Sequence, residues 1–465
     1  MFSAAKTKAK KDALHGGLLF LFAQSRRTRV PLKRLALLTP VWVNYRRGIR
    51  EVGNYHTPLD LVRERSVERP VALVRPGVVA VAANWFQDKF KGDVFYAVKA
   101  NPSAWVIQTL WDNGVRSFDV ASIPEIEAVH AVAPNARLAF MHPVKSRVAI
   151  ARAYNEFGVR TFALDTHEEL AKILAATGNA RDLNLIVRMA VVTDGAQYTL
   201  SGKFGVAPEE APALLLAARQ ATEELMGVSF HVGSQCMNPY AYRAAMSQVS
   251  RALVRAGVFA DVVDVGGGFP SVYPGMNPPD LQLYMDAIHE SFEQMMVHET
   301  TELWCEPGRA LVAESSSILT KVELRKGDSL YLNEGSYGSL FDATHCKWPF
   351  PVKLVRDGQS SETAKPFGFY GPTCDSIDYM PGPFWLPDDV DEGDYVEIGM
   401  LGAYGVAMST RFNGFGDTET VIVGDAPMAS MFGLADEALP AVASTVQEST
   451  VVKLSTRNRR KRRRK

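Results

Sequence analysis

The chain has 465 residues, 47% of them hydrophobic and 22% charged, and its 51 Lys and Arg side chains are matched by 51 Asp and Glu. That balance is ordinary for a globular chain and excludes a partner recognised through bulk charge, nucleic acid above all. The length admits one large domain and a smaller one.

Residues 1–34 scatter Lys and Arg around a short apolar run, Leu18 to Ala23. As a secretory signal the run is at the short limit and is followed by Arg26-Arg27, the wrong flank; it is too short to span a bilayer. Residues 1–45 are read as a disordered extension, or as a start placed too early. Val71–Val74 is expected to add a strand to a second domain, and Gly77–Phe90 to form a helix leading into the first.

Eight short apolar or aromatic runs follow: Asp93–Val98, Arg116–Val120, Arg137–Met141, Arg160–Leu164, Asn184–Met189, Met226–His231, Asp261–Val265 and Glu302–Cys305. They lack clean alternation, as strands buried on both faces do. Helical stretches separate them. Ser122-Ile123-Pro124-Glu125 and Thr166-His167-Glu168-Glu169 both fit the capping box that opens a helix. Eight alternating β and α units predict a parallel (β/α)8 barrel, with chemistry at the rim where the strands end.

Beyond Cys305 the pattern changes to short strands set off by Gly, Pro and Asp: Ser316–Leu324, Ser329–Asn333, Val352–Val355, Phe367–Tyr370 and Tyr395–Ile398. An antiparallel β domain is expected here. The predicted division is a barrel over 85–308 and a β domain over 46–84 and 309–440. Residues 441–465 end in RNRRKRRRK, read as a solvated basic tail. Cys236, Cys305, Cys346 and Cys374 form no CxxC pair, which argues against structural zinc and a disulfide framework and fits a reducing cytoplasm.

Several strand ends carry reactive residues. Lys99 follows five apolar or aromatic residues; it is either a structural ion-pair partner or a Schiff-base lysine kept partly neutral by its surroundings. Asp264-Val265-Gly266-Gly267-Gly268-Phe269 follows strand seven, where bare backbone amides can approach an anion. Glu306-Pro307-Gly308-Arg309 follows strand eight and adds a charge able to grip phosphate through two bonds. These are the two loops that often hold phosphate in this fold. Glu306 could also keep a pyridinium nitrogen protonated. His231 could stack on a flat ring or act as an acid, and Ser234 could reach a phosphate oxygen. Taken singly, each has a plain structural explanation. Together they describe pyridoxal 5'-phosphate better than a nucleotide, since neither a Walker motif nor a helix-opening GxGxxG is present.

The ordered segments FYAVKANP, FDVASIPEIE, MHPVKS, SGKFG, SFHVGSQC, DVGGGFP, EPGR, NEGSYGS, GPTCDSID and GAYGVAMSTRFNGF span about Phe95 to Phe415. In these the chain resembles the fold-type III pyridoxal-phosphate decarboxylases of basic amino acids, the group of ornithine and diaminopimelate decarboxylases. The resemblance implies an alanine racemase-like barrel with Lys99 attached to the cofactor, His231 stacked on its ring and Glu306 at its nitrogen. It implies Ser234, Gly268, Gly308, Arg309 and Tyr404 at the phosphate, with Asp119 and Arg188 on the other side. Cys374 would protonate the product carbanion and Asp375 would bind the distal ammonium. This last loop would reach a neighbouring subunit's barrel, which makes a homodimer the expected functional unit.

For the substrate, aspartate after the cysteine in GPTCDSID matches the ornithine and lysine enzymes, and Asp342 resembles their second acidic residue. Two acids facing one ammonium favour L-ornithine, with lysine next, since one methylene separates them only weakly. HVGSQ and GAYGVAMS lean towards diaminopimelate decarboxylase, whose substrate would also need a cation for its distal carboxylate. A regulator that kept the fold and lost catalysis is opposed by the presence of both Lys99 and Cys374. A racemase is opposed by the CDSID loop.

Overall fold

The computed structural model describes residues 54–198 and 202–435. The expected N-terminal extension (1–45) and basic tail (441–465) lie outside them.

The eight predicted runs become the eight parallel strands of a closed barrel: Asp93–Ala97, Ser117–Val120, Arg137–Phe140, Thr161–Leu164, Asn184–Arg188, Met226–Ser229, Val262–Asp264 and Glu302–Cys305. The eighth pairs with the first, Cys305 opposite Val94, and closes the ring. Inside, Phe95, Ala139, Met141, Ala163, Ile186, Val262 and Trp304 form one buried cluster, so the barrel is packed rather than hollow. Gly227 makes room there: a Cβ would lie 2.6 Å from the end of Ile186 and 2.7 Å from Val262. Neighbours in sequence such as Tyr96, Phe118 and Phe140 join the larger apolar cluster instead. A strand with both faces buried has no polar alternation to show.

The two capping boxes are half made. Ser122 and Thr166 accept the amides of Glu125 and Glu169 as expected. The glutamates do not return to the cap residue. Glu125 accepts the Ala121 amide at 2.7 Å, and Glu169 turns to Lys145 at 3.0 Å. A buried cation outcompetes a local amide for a carboxylate. A complete box stands at Thr57 and Asp60, opening the helix Pro58–Glu64.

The second domain is a nine-stranded sheet. Its hub is Ser316–Lys326, which pairs antiparallel with Val71–Val74, Ser329–Leu332 and Tyr395–Ile398. The sheet is mixed, where the turn-rich sequence suggested antiparallel strands throughout. Glu419–Val423 runs parallel to Val71–Val74 and Asn54–Tyr55, and Ser329–Leu332 runs parallel to Ala364–Tyr370. For Glu419–Val423 beside Val71–Val74 the barrel itself is the crossover, while between Ser329–Leu332 and Ala364–Tyr370 the crossover runs through Phe341–His345 and Val352–Val355. The helix Pro76–Lys89 carries the chain from this sheet into the barrel. Arg75, just before it, is 4% exposed and bridges Glu397 and Asp425 at 2.9 and 2.8 Å. The site is thus framed by two domains threaded through each other twice.

Candidate active site

A cavity of about 380 Å3 opens where the barrel strands end, and all ten residues expected around a cofactor line it: Lys99, Asp119, Arg188, His231, Ser234, Gly268, Glu306, Gly308, Arg309 and Tyr404. Nine come from the barrel and its loops. Tyr404 comes from the second domain, held there by its backbone N–H, which donates to Ala100 O at 2.8 Å. Asn101 Nδ2 donates to Gly402 O at 2.8 Å. These two bonds tie the loop of Tyr404 to the short turn, Val98–Ala100, that carries Lys99.

Lys99 extends into the cavity, and its Nζ lies 2.8 Å from Asp119 Oδ2. Desolvation works against its charge but is outweighed by Asp119, Glu306 and Tyr404, so its pKa is raised. The side chain is 44% accessible although the barrel wall surrounds it, because what it meets is the cavity. Of the two sequence readings, the ion pair is the one this geometry displays. Lys99 waits as an ammonium in an ion pair.

Glu306 lines the same cavity and is 9% exposed. Burial first, then Asp264 and Asp119, push its pKa well up. His231 shifts the opposite way: burial and the charges of Arg188 and Lys99 hold it well below the ordinary imidazole range. Its Nδ1 accepts the Gly233 amide at 2.9 Å. A neutral ring with one nitrogen already engaged offers a flat face and not a resident acid, which leaves stacking as the usable half of the sequence reading.

Part of the cavity wall suits an anion. Gly268 has φ of +107°, and a Cβ there would meet Gly233 O at 2.4 Å. A Cβ on Gly308 would stand 3.1 Å from Ala100 Cβ. Only glycine keeps this backbone bare at the wall. Arg309 sits beside it, its guanidinium carbon 4.9 Å from the Tyr404 ring centre. The two-bond grip expected of this arginine is preempted in part. One terminal nitrogen donates to Tyr273 Oη at 2.8 Å and the other to Asp342 Oδ2 at 2.9 Å. Nε is buried with no partner among the described residues, and each terminal nitrogen keeps a second N–H beyond the one it donates, so donors remain for an anion. A cationic, glycine-lined stretch of wall, a buried carboxyl and a lysine in one cavity fit a phosphorylated pyridine aldehyde.

Three expected residues are not in the cavity lining. Asp342 is buried against Arg309. Its carboxylate neutralises the arginine and does not face a substrate's ammonium, because the helix Phe341–His345 turns it inward. Cys374 is exposed. Asp375 accepts from Tyr337 Oη at 2.5 Å and lines a separate cavity with Asp378 and Phe415.

Among the other wall residues, His142, Lys203 and Phe204 had no assigned role, nor had Asp264, which is buried and does not line the cavity. The first three lie in MHPVKS and SGKFG, so their motifs were visible without their positions. His142 packs edge-on against Phe204, with ring centres 5.1 Å apart. Lys145 anchors this loop from below: its Nζ donates to Ala163 O and His142 O at 2.5 and 2.9 Å. Burial pushes the Lys145 pKa down to about 8. Asp264 stood in the glycine motif, but only the fold sets it beside Glu306.

Residues 77–313 match the family described as "Pyridoxal-dependent decarboxylase, pyridoxal binding domain". The chain is 34% identical over 346 residues to the lysine/ornithine decarboxylase of Selenomonas ruminantium, covering 72% of this chain and 85% of that one. It is 32% identical over 347 residues to antizyme inhibitor 2 of Xenopus laevis, covering 69% and 79%. In structure it is similar to the arginine decarboxylase of Paramecium bursaria Chlorella virus bound to agmatine. There the TM-score is 0.70 and the identity 29%, over 78% of this chain and 98% of the other.

Proposed function

The chain belongs to the pyridoxal-dependent decarboxylases, and from that membership we propose that it converts L-ornithine to putrescine and CO2, a step of polyamine biosynthesis, with L-lysine as a second substrate. One observation carries the reading: Lys99 with its partner Asp119, Glu306 and the glycine-lined anion end all meet in one cavity. The bound cofactor supplies a sink for the electron pair that CO2 leaves behind.

Lys99 would hold the cofactor, and Asp119, 2.8 Å from its Nζ, helps it keep the proton that this would require it to release. Glu306 would pair with the ring nitrogen, and His231 would cover a ring face as a neutral imidazole. Ser234, Gly268, Gly308, Arg309 and Tyr404 hold the phosphate; Asp119 and Arg188 line the other side. Cys374 returns a proton to the α-carbon, and Asp375 binds the distal ammonium. Neither lines its own chain's cavity, and the thiol is exposed. That arrangement supports a homodimer in which this loop completes the neighbouring chain's site. Asp342 is engaged by Arg309, so the ammonium falls to Asp375.

Lys203, exposed on the cavity wall, favours a second reading, in which the substrate is diaminopimelate and this cation meets its distal carboxylate. The regulator reading draws on the likeness to an antizyme inhibitor, against which stand Lys99 and Cys374. Among the described residues no helix is long and apolar enough to cross a membrane, and the four cysteines are free; both accord with a cytoplasmic enzyme. Release of CO2, assayed separately from ornithine, lysine, arginine and diaminopimelate, tests the proposal. Turnover of ornithine above the others is expected. Turnover of diaminopimelate alone would overturn the substrate, and none at all the enzyme.

A further inference from the structure

Asp264 has no part in the reading above, yet it is 1% exposed at the end of the seventh barrel strand. That strand pairs with the eighth, Asp264 opposite Trp304, and Glu306 follows two residues later. Asp264 Oδ1 accepts the Gly266 amide at 2.8 Å. Gly266 has φ of +67° and a Cβ there would meet Phe230 O at 2.2 Å, so glycine is what lets this amide fold back onto the carboxyl. Oδ2 is thereby left for a different partner. The backbone sets the two carboxyls side by side: Glu306 N–H donates to Gly266 O at 2.8 Å, and Glu306 acts on Asp264 as a hydrogen-bonding neighbour. Asp264 Oδ2 and Glu306 Oε1 are both buried, and neither has a partner among the described residues. Two carboxylate oxygens are both acceptors and cannot bond each other unless one carries a proton.

We propose that Asp264 is a positioning residue for Glu306: the two carboxyls hold one proton between them, and Asp264 keeps it as an O–H donor to Glu306 when Glu306 faces a cation. The proton moves only within the pair, which carries one negative charge throughout. Its surroundings agree with that count. Lys99 and Arg188 favour one ionised member, while Asp119 opposes a second. Burial raises both pKa values, that of Asp264 to about 6, and Cys305 beside the pair is kept as a thiol. Like charges this close in a buried site do not both ionise. The single charge left is the one a protonated ring nitrogen would neutralise.

The first test needs no cofactor. Infrared difference spectra of the cofactor-free full-length protein at neutral pH, wild type minus variant, should show a protonated carboxyl band, separate from that of Glu314, that is lost in both Asp264→Asn and Glu306→Gln, since each leaves one carboxyl beside Lys99 and Arg188. A wild-type protein without that band, or a band that survives either substitution, would overturn the shared proton. The second test rests on the proposed role of Glu306. In the holoenzyme, Asp264→Leu should lower kcat about tenfold to a hundredfold, the loss expected when a carboxylate forfeits its donor, with little change in KM. It should also move the pH titration of the cofactor's visible band. Asp264→Asn keeps an N–H donor and should restore that titration and most of kcat. Equal behaviour of the two variants would sink the positioning role. If the infrared result holds while Glu306→Gln turns over like wild type, the pair stands and the ring-nitrogen role of Glu306 fails.

Discussion

Asp119 Oδ2 stands 2.8 Å from Lys99 Nζ, and this contact decides the protonation state in which the barrel presents its lysine. Without it, burial would push the amine toward neutrality. With it, and with Glu306 and Tyr404 nearby, the pKa is raised. Asp119→Asn should therefore let the cofactor attach at lower pH. The midpoint of the visible band against pH is expected to fall by about 1–3 units, the usual weight of one close opposite charge. An unmoved midpoint would mean that another group governs the lysine.

The exposed loop of Cys374 and Asp375 predicts shared sites. Lys99→Ala and Cys374→Ala should each be nearly inactive alone. Mixed in equal amounts and allowed to exchange, they should recover about a quarter of wild-type activity, because half the dimers then hold one intact site of two. Recovery of nothing under demonstrated exchange would place both residues in one chain's site.

Asp342 predicts a stability effect where a substrate-binding residue would give a KM effect. It neutralises buried Arg309 at 2.9 Å. Breaking such a pair from one side costs about 3–5 kcal/mol. Asp342→Ala should accordingly lower the unfolding midpoint and weaken cofactor retention. A variant of unchanged stability with a raised KM for ornithine would restore the ammonium-binding role that the sequence suggested.

Glu314 provides a pH dependence. It is 3% exposed, accepts the Met431 amide at 2.6 Å, and leaves Oε2 without a partner among the described residues. Burial raises its pKa to about 7 from an ordinary 4.5. The folded state then binds more protons than the unfolded one between those values, so stability is full below about pH 4.5 and declines as pH rises towards about 7. Glu314→Gln removes this titration. The variant should be more stable than wild type by about 1–3 kcal/mol at about pH 8, and nearly equal to it in acid. Denaturant unfolding at the two pH values measures the difference.

The barrel was legible because its cause is local. Eight apolar runs spaced by amphipathic stretches admit few arrangements, and every strand appears within two residues of its predicted bounds at either end. Three strands of the second domain, Tyr379–Pro387, Glu419–Val423 and the two-residue Asn54–Tyr55, were missed. Pro and Gly interrupt the first, and the second has its sheet neighbour Val71–Val74 on the far side of the barrel sequence.

The cofactor residues were named from motifs, and motifs assign a side chain to a loop end without its neighbours. By itself the sequence determined which loops surround the cavity and which residue types they bring. Tertiary structure alone decided what those residues do to one another: that Lys99 is held charged, that Arg309 is already occupied by Asp342 and Tyr273, and that Asp264 meets Glu306 out of water. Charge state and pairing depend on distances between strands and on burial, and neither is written in the order of residues along one strand.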